Sequence, residues 1–207
     1  MSREYPVHES FYSWQGEGLH TGRAAFFIRL QGCPVRCSWC DSRETWVSNP
    51  PGGLRETAEA LAARASKTRA EFAVVTGGEP AIHDLGPLTS ALHGVGLRVH
   101  LETCGAFPLR GSFDWVALSP KCIAPARAEN LALADELKLI IEAGDDLVAW
   151  ADFLRAHSLK KDCFVWLHPE WSRRADEAFL STLTDWVKEH GFPWRTGWQT
   201  HKLYRAE

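Results

Sequence analysis

The chain has 207 residues, a formal net charge of -3 and 24% charged residues. That length supports one domain with a substantial core, and the charge balance excludes both a basic nucleic-acid-binding surface and a disordered polyelectrolyte. The opening Met1-Ser2-Arg3-Glu4-Tyr5-Pro6 has no apolar signal core and no stretch is apolar enough to span a bilayer, so a cytoplasmic protein without nucleic-acid or membrane partners is expected.

In chain order, the first apolar run predicts a strand over Ala24–Leu30. The break Asn49-Pro50-Pro51-Gly52-Gly53 reads as a loop leading into a helix over Thr57–Ala65, with Leu61, Ala62 and Ala65 inward. A strand over Phe72–Thr76 and a helix over Asp84–His93, carrying Leu85, Leu88 and Leu92, come next. Strands follow over Leu97–Thr103, Trp115–Leu118 and Leu137–Ile141, then a helix over Asp146–Ala156, a strand over Phe164–Leu167, a helix over Ala175–Glu189 and a last strand over Thr196–Thr200. Several strands are apolar on both faces, as buried parallel strands require. Gly105–Asp114 and Lys121–Ala134 show no clear helix. A complete eightfold barrel needs about 250 residues, so the pattern predicts an incomplete, reduced parallel α/β barrel, one domain over residues 1–207.

Ligands of such folds bind at the C-terminal ends of the strands. Following each strand to that end collects the loop after Gln31-Gly32, Thr76-Gly77-Gly78-Glu79-Pro80, Glu102-Thr103-Cys104-Gly105, Ser119-Pro120-Lys121, His168-Pro169-Glu170 and Gln199-Thr200-His201-Lys202. Glu136 and Lys138 share one strand face by the period of two, which fits a site pair or a plain surface pair. His201 reads equally as a satisfied core histidine.

The first loop holds three cysteines, Cys33-x-x-x-Cys37-x-x-Cys40, without a fourth nearby. A structural zinc site closes with four protein ligands, and neither His8, His20, Cys104 nor Cys122 stands at zinc-ribbon spacing. Three thiolates can instead hold three irons of a four-iron cluster and leave the fourth iron open to an outside ligand. Reduced cytosolic thiols favour metal over disulfide.

With Gly77-Gly78-Glu79-Pro80, this loop resembles the radical S-adenosylmethionine superfamily. The resemblance implies a 4Fe-4S cluster on Cys33, Cys37 and Cys40, with S-adenosyl-L-methionine chelated to the open iron. A narrower resemblance runs along almost the whole chain. It rests on Glu9-Ser10-Phe11-Tyr12-Ser13-Trp14-Gln15-Gly16-Glu17-Gly18, Arg29, Cys40-Asp41-Ser42, Glu102-Thr103, Ser119-Pro120-Lys121, Glu136-Leu137-Lys138 and Gln199-Thr200-His201-Lys202. These are similar to the 7-carboxy-7-deazaguanine synthase family, which converts 6-carboxy-5,6,7,8-tetrahydropterin into 7-carboxy-7-deazaguanine and ammonia, with magnesium, for queuosine and related 7-deazapurines.

The resemblance places Trp14, Gln15, Gly16, Glu17, Arg29, Thr76 and His201 around the pterin. Gln15 and Glu17 suit its amide and amino edge, and the guanidinium of Arg29 suits its carboxylate. The resemblance makes Ser42 the protein ligand to Mg2+, a hard ion that keeps oxygen ligands. Trp39, Gly78, Glu102, Ser119, Pro120 and Lys121 lie around S-adenosyl-L-methionine, with Trp39 packed on its adenine or simply within the loop. In some relatives the terminal carboxylate reaches substrate, which makes Glu207 a candidate. The family pattern is broken at Ser42 (often Thr), Cys104 (usually Asn), His168 (often Gln) and in the tail Leu203–Glu207. Cys122 and Cys163 read as structural. A flavodoxin or ferredoxin as reductant and a homodimer are implied. The rival readings are a glycyl-radical enzyme activase, which would need no pterin-reading Gln15/Glu17 pair, and a non-catalytic zinc-binding module.

Overall fold

A computed structural model describes residues 3–206. Nine strands form one sheet: β1 (Glu4–Trp14), β2 (Ala24–Leu30), β3 (Leu54–Thr57), β4 (Phe72–Gly77), β5 (Arg98–Thr103), β6 (Trp115–Leu118), β7 (Glu136–Ile141), β8 (Phe164–Pro169) and β9 (Trp194–Thr196). Their order is β3-β1-β2-β4-β5-β6-β7-β8-β9. From β2 to β9 every pairing is parallel, whereas β1 runs antiparallel to both β2 and β3. The helices are α1 (Ala58–Ala65), α2 (Gly86–Gly94), α3 (Ala128–Leu131), α4 (Asp146–Ala156), α5 (Glu177–His190) and α6 (Thr200–Tyr204). This is the expected reduced parallel α/β barrel, extended by two antiparallel strands.

Alternation along the strands divides the molecule into an outer apolar layer and an inner face. Outward residues of β1, β2, β4 and β5, among them Ile28, Val75 and Leu101, pack with Leu61 of α1 and Leu88 and Leu92 of α2. Outward residues of β6 to β8, among them Leu118, Leu137, Leu139 and Val165, pack with Trp150 of α4 and Phe179 and Leu183 of α5. The intervening positions, His100, Glu102, Glu136, Lys138, Trp166 and His168, fall on the opposite, inner face. Phe72 and His100 stack at 3.9 Å, and the His20 ring lies 4.6 Å from both His100 and Trp115. Burial there pushes the His100 pKa down to about 3, so these rings form a neutral floor at neutral pH.

Two strands departed from expectation by being absent from it. β1 carries Pro6 and alternates polar residues, and β3 is four residues long with Leu54 exposed. The predicted last strand is a correction: β9 ends at Thr196, and Thr200–Tyr204 is helical. The ladder stops after Gly197, whose N–H donates to the Leu167 carbonyl at 2.8 Å. A Cβ on Gly197 would stand 2.4 Å from His168 Nε2, so the chain must turn away there without a side chain.

The predicted helix-free connection after β5 is fastened to α3 by one side chain. Buried Asn130 of α3 donates from Nδ2 to the carbonyls of Gly105 and Phe107, both at 2.7 Å. Asn130→Ala should therefore lower unfolding stability by about 1–3 kcal/mol by leaving the Phe107 carbonyl without its donor and the Gly105 carbonyl with Arg127 N alone. Urea unfolding of the parent and variant measures this; a change under a few tenths would mean that the loop is held otherwise.

Candidate active site

The cysteine loop leaves β2 through Gln31 and Gly32, whose φ of +100° suits glycine. Gly32 N donates to Thr45 O at 2.7 Å, Cys33 N to Trp46 O at 3.2 Å and Cys40 N to Cys37 O at 3.1 Å. The loop is thus fastened at both ends. Burial pushes the Cys37 thiol pKa up, the Lys121 ammonium opposes the shift, and the neighbouring Cys40 and Cys33 add to it. Among the described residues, no three His, Cys, Asp or Glu side chains could hold a single metal ion.

Beside the thiols lies a cavity of about 180 Å³, lined by Cys33, Cys37, Trp39, Cys40, Gly78, Glu102, Ser119 and Lys121 among others. These are the expected cofactor residues apart from Pro120, which lines a neighbouring cleft with Cys37, Trp39 and Lys121. Lys121 Nζ donates to Ser119 Oγ at 2.5 Å and stands 4.8 Å from the Trp39 ring centre. Trp39 therefore has a protein cation on one face. Burial lowers the Lys121 pKa, against the opposing effects of Cys37, Cys104 and Glu79.

The glycine pair has a structural reason of its own. Gly77 has φ +140°, and a Cβ there would stand 2.2 Å from the Leu30 carbonyl oxygen. A Cβ on Gly78 would stand 2.5 Å from Gly32 O and 2.9 Å from Cys33 Cβ. Glu79, buried, then ties β4 to β5: it accepts from Thr103 Oγ1, from Cys104 N at 2.8 Å and from Ala81 N at 3.0 Å. The sequence reading required Gly78 only for the approach of a cofactor; its backbone also seats the cysteine loop.

A second cavity, of about 230 Å³, adjoins the first and is lined by Trp14, Gln15, Gly16, Glu17, Arg29, Ser42, Thr76, Glu102, Lys138 and His201, with Phe11, Phe27, Asp41 and Gln199. All the expected substrate residues meet here except Glu207, which lies outside the described residues. The strand-end rule does not account for Gln15–Glu17. Trp14 pairs with Ala24 at the start of β2, and Leu19 N donates at 2.9 Å to Glu136 at the start of β7. The β1–β2 connection therefore enters the barrel from the N-terminal ends of the parallel strands. Helix α6 covers it: Thr200 N and Oγ1 both donate to Gly16 O at 2.9 Å, and a Cβ on Gly16 would stand 2.2 Å from His201 Nδ1. Burial lowers the His201 pKa, which keeps the ring neutral.

Arg29 Nε donates to Glu9 Oε1 at 2.7 Å. Among the described residues, no partner engages its terminal Nη groups, which leaves them for a ligand. Ser42 Oγ lies 3.4 Å from Asp41 Oδ1, and Ser42 N lies 3.4 Å from Cys40 Sγ. Asp41 is tied to α6 by Lys202 Nζ at 2.8 Å.

Between the cavities sits a buried ion network. Lys138 Nζ is 3.0 Å from Glu17 Oε2 and in direct contact with Glu102 Oε2. Gln15 Nε2 donates to Glu102 Oε1 at 3.0 Å, and Gln199 Nε2 to Glu17 Oε1 at 2.8 Å. Burial alone would lower the Lys138 pKa, but Glu102, Glu17 and Glu136 raise it above the ordinary lysine range. Burial would raise Glu17, and the Lys138 charge instead holds it well below the usual carboxylate range. Glu102 is raised by burial, with Lys138 opposing and Glu17 adding. Glu136 and Lys138 are therefore no surface pair: both are buried, and Glu136 also accepts from Trp166 Nε1 at 2.8 Å. Lys138, Gln199 and Asp41 are the residues that the sequence reading did not assign to the site. The signals for Lys138 were its shared strand face with Glu136 and its place in the Glu136-Leu137-Lys138 stretch of the resemblance.

A reduced parallel barrel with three cysteines in the loop after its first parallel strand, opening onto a glycine-lined cavity, defines a radical S-adenosylmethionine enzyme. No protein-family model matches the chain. A 7-carboxy-7-deazaguanine synthase from Synechocystis sp. (strain ATCC 27184 / PCC 6803 / Kazusa) is 43% identical over 202 residues, 98% of this chain and 93% of that protein. The same-named protein of Escherichia coli (strain K12) is 34% identical, covering 96% of this chain and 97% of its own. The crystal structure of QueE from Escherichia coli superposes with a TM-score of 0.81 at 33% identity, covering 96% of this chain and 95% of that one. The chain belongs to the 7-carboxy-7-deazaguanine synthase family. The activase and zinc-module readings are set aside by these full-length matches.

Because the clash at Gly78 is with backbone, Gly78→Ala should displace the cysteine loop. Anaerobic reconstitution of the variant should yield clearly less iron and sulfide per chain than the parent. Full occupancy with weakened cofactor binding would return Gly78 to a cofactor role alone.

Proposed function

We propose that the chain converts 6-carboxy-5,6,7,8-tetrahydropterin to 7-carboxy-7-deazaguanine with release of ammonia. The observation that carries the reading is the junction of the two cavities. Cys33, Cys37, Cys40, Trp39, Gly78, Ser119 and Lys121 line one, Trp14, Gln15, Gly16, Glu17, Arg29 and His201 line the other, and Ser42, Thr76 and Glu102 line both. The thiols hold the iron–sulfur cluster, and the cluster with S-adenosyl-L-methionine supplies, when bound, a 5′-deoxyadenosyl radical that abstracts hydrogen from substrate. The chain's own residues bind, orient and screen.

In this reading Glu17 accepts from the amino and ring N–H edge of the pterin, and its ionised state suits an acceptor-only role. Gln15 is held side-on by Glu102 and by the Glu17 backbone, whose N–H donates to Gln15 Oε1 at 3.1 Å. Arg29 offers its Nη pair to the substrate carboxylate. Neutral His201 and the Thr76 hydroxyl complete the wall. Ser42 offers a hydroxyl to Mg2+ beside that carboxylate, with Asp41 next to it. Pro120 belongs to the cofactor wall through its neighbours Ser119 and Lys121, and Glu207 is left as a substrate contact of the terminal carboxylate. A reductant such as flavodoxin or ferredoxin, a homodimeric state, a cytoplasmic location and a single domain over 1–207 belong to the same proposal. Among the described residues, no helix is long and apolar enough to cross a membrane.

The test is anaerobic reconstitution, reduction and product analysis with the carboxylated tetrahydropterin; a reconstituted, reducible enzyme that forms no deazapurine would sink the reading. Arg29→Ala should raise the apparent substrate constant by one to two orders of magnitude, since a charged hydrogen bond is worth about 1.5–3 kcal/mol. If the variant still prefers carboxylated over uncarboxylated pterin, Arg29 does not read the carboxylate. Ser42→Ala should abolish stimulation by magnesium and Ser42→Thr should retain it. A full magnesium response in the alanine variant would place the metal elsewhere.

A further inference from the structure

The cofactor and substrate cavities share Glu102, and Glu102 shares one ammonium with Glu17. Lys138 is fixed from both sides. Its backbone lies within β7, paired with Trp166 of β8, and its side chain is only 4% exposed, so Nζ is held almost wholly by the protein. Gln15 ties the substrate-side loop to the same Glu102 carboxylate. Substrate-side Gln15 and Glu17 therefore both end on the Glu102–Lys138 pair, which is packed between the cavities.

We propose that Lys138 is a positioning residue that couples the two sites, so that occupancy of the substrate cavity tightens binding in the cofactor cavity and the reverse. The inference rests on the functional reading above. An ammonium has three donors, and Glu17 and Glu102 together present more acceptor sites than it can fill. A ligand seated at Glu17 holds that carboxylate in one place, and through it the Lys138 ammonium and the Glu102 carboxylate on the other side of that ammonium. The second ligand then meets a site whose ordering is already done. A ligand at Glu102 orders Glu17 through the same contacts. Such coupling is reciprocal by necessity: each ligand changes the affinity of the other by one factor. The two-sided contact of one buried group is the physical link.

The test uses cluster-loaded enzyme with the cluster oxidised, so that both ligands bind without turnover. S-adenosyl-L-methionine is titrated calorimetrically with and without saturating carboxylated tetrahydropterin, and the reverse titration is run as well. In the parent, each ligand should tighten the other by at least about fivefold, the lower end of common coupling factors. In Lys138→Met that ratio should fall to about 1 while each ligand still binds alone. Lys138→Gln keeps a donor for one carboxylate and gives the same readout should the methionine variant fail to fold, and Lys138→Arg should restore part of the ratio. A purely structural lysine would weaken each ligand and leave the ratio unchanged. A ratio near 1 in the parent, or an unchanged ratio in both neutral variants, overturns the inference alone. No binding of the pterin to the parent overturns the functional reading and the inference together.

Discussion

One buried ammonium ties together the interior of this barrel. Glu17, Glu102 and Glu136 all face the inner space, and Lys138 is the cation that the first two share. Removing charges from water costs several kcal/mol per ion, and the attraction between them repays this only when geometry and further hydrogen bonds are good. Here the remaining acceptors are met by Gln15, Gln199, Leu19 N and Trp166 Nε1. An apolar filling would hold a barrel as well. The charged filling gives a floor to two adjoining cavities and holds the 15–17 segment in a single place.

The outer layer makes that arrangement tolerable. Leu101 and Leu137 are fully buried beneath the helices, one residue away from Glu102 and from Glu136 and Lys138. The period of two that drives leucine outward into the helix layer drives the charged neighbour inward. Apolar burial at about 25 cal/mol per Å² fixes the register, and the register fixes where the ions meet. A slip of one residue in β5 or β7 would place leucine in the cavity and a charge under the helices, so the site is protected by the core that surrounds it.

This division also explains what could be read from the sequence. Parallel strands buried on both faces are dense apolar runs, and β2, β4, β5, β6, β7 and β8 stand where those runs predicted them. β1 lies in the antiparallel extension with only Tyr5, Pro6 and Val7 fully buried, so its mixture of polar and apolar residues with Pro6 and Glu9 was read as a motif and not as a strand. The cysteine loop was legible because its ligands are local, within eight residues. The Glu102–Lys138 contact was not. It joins β5 to β7 across β6, and a strand pattern tells which residues share a face but not which face is the inner one. The last strand was drawn over Thr196–Thr200 and so shares only Thr196 with β9, because the chain leaves the ladder at Gly197, and the short helix α6 that follows was not predicted.

Local sequence motifs in this chain are accounted for twice, once by the ligand and once by the backbone. Gly77-Gly78 invites a ligand reading because exposed peptide groups can bond a cofactor. Yet the atoms that a side chain would strike are Leu30 O and Gly32 O, on the strand that launches the cysteine loop. Gly16 likewise lines the substrate cavity, and its missing Cβ is where His201 sits. In both cases two segments far apart in sequence approach at backbone distance, β4 against the exit of β2 and α6 against the β1–β2 connection. Those approaches bring the thiols to the rim of the cofactor cavity and His201 to the wall of the substrate cavity. The glycines thus bring the site's segments together whether or not a ligand is present.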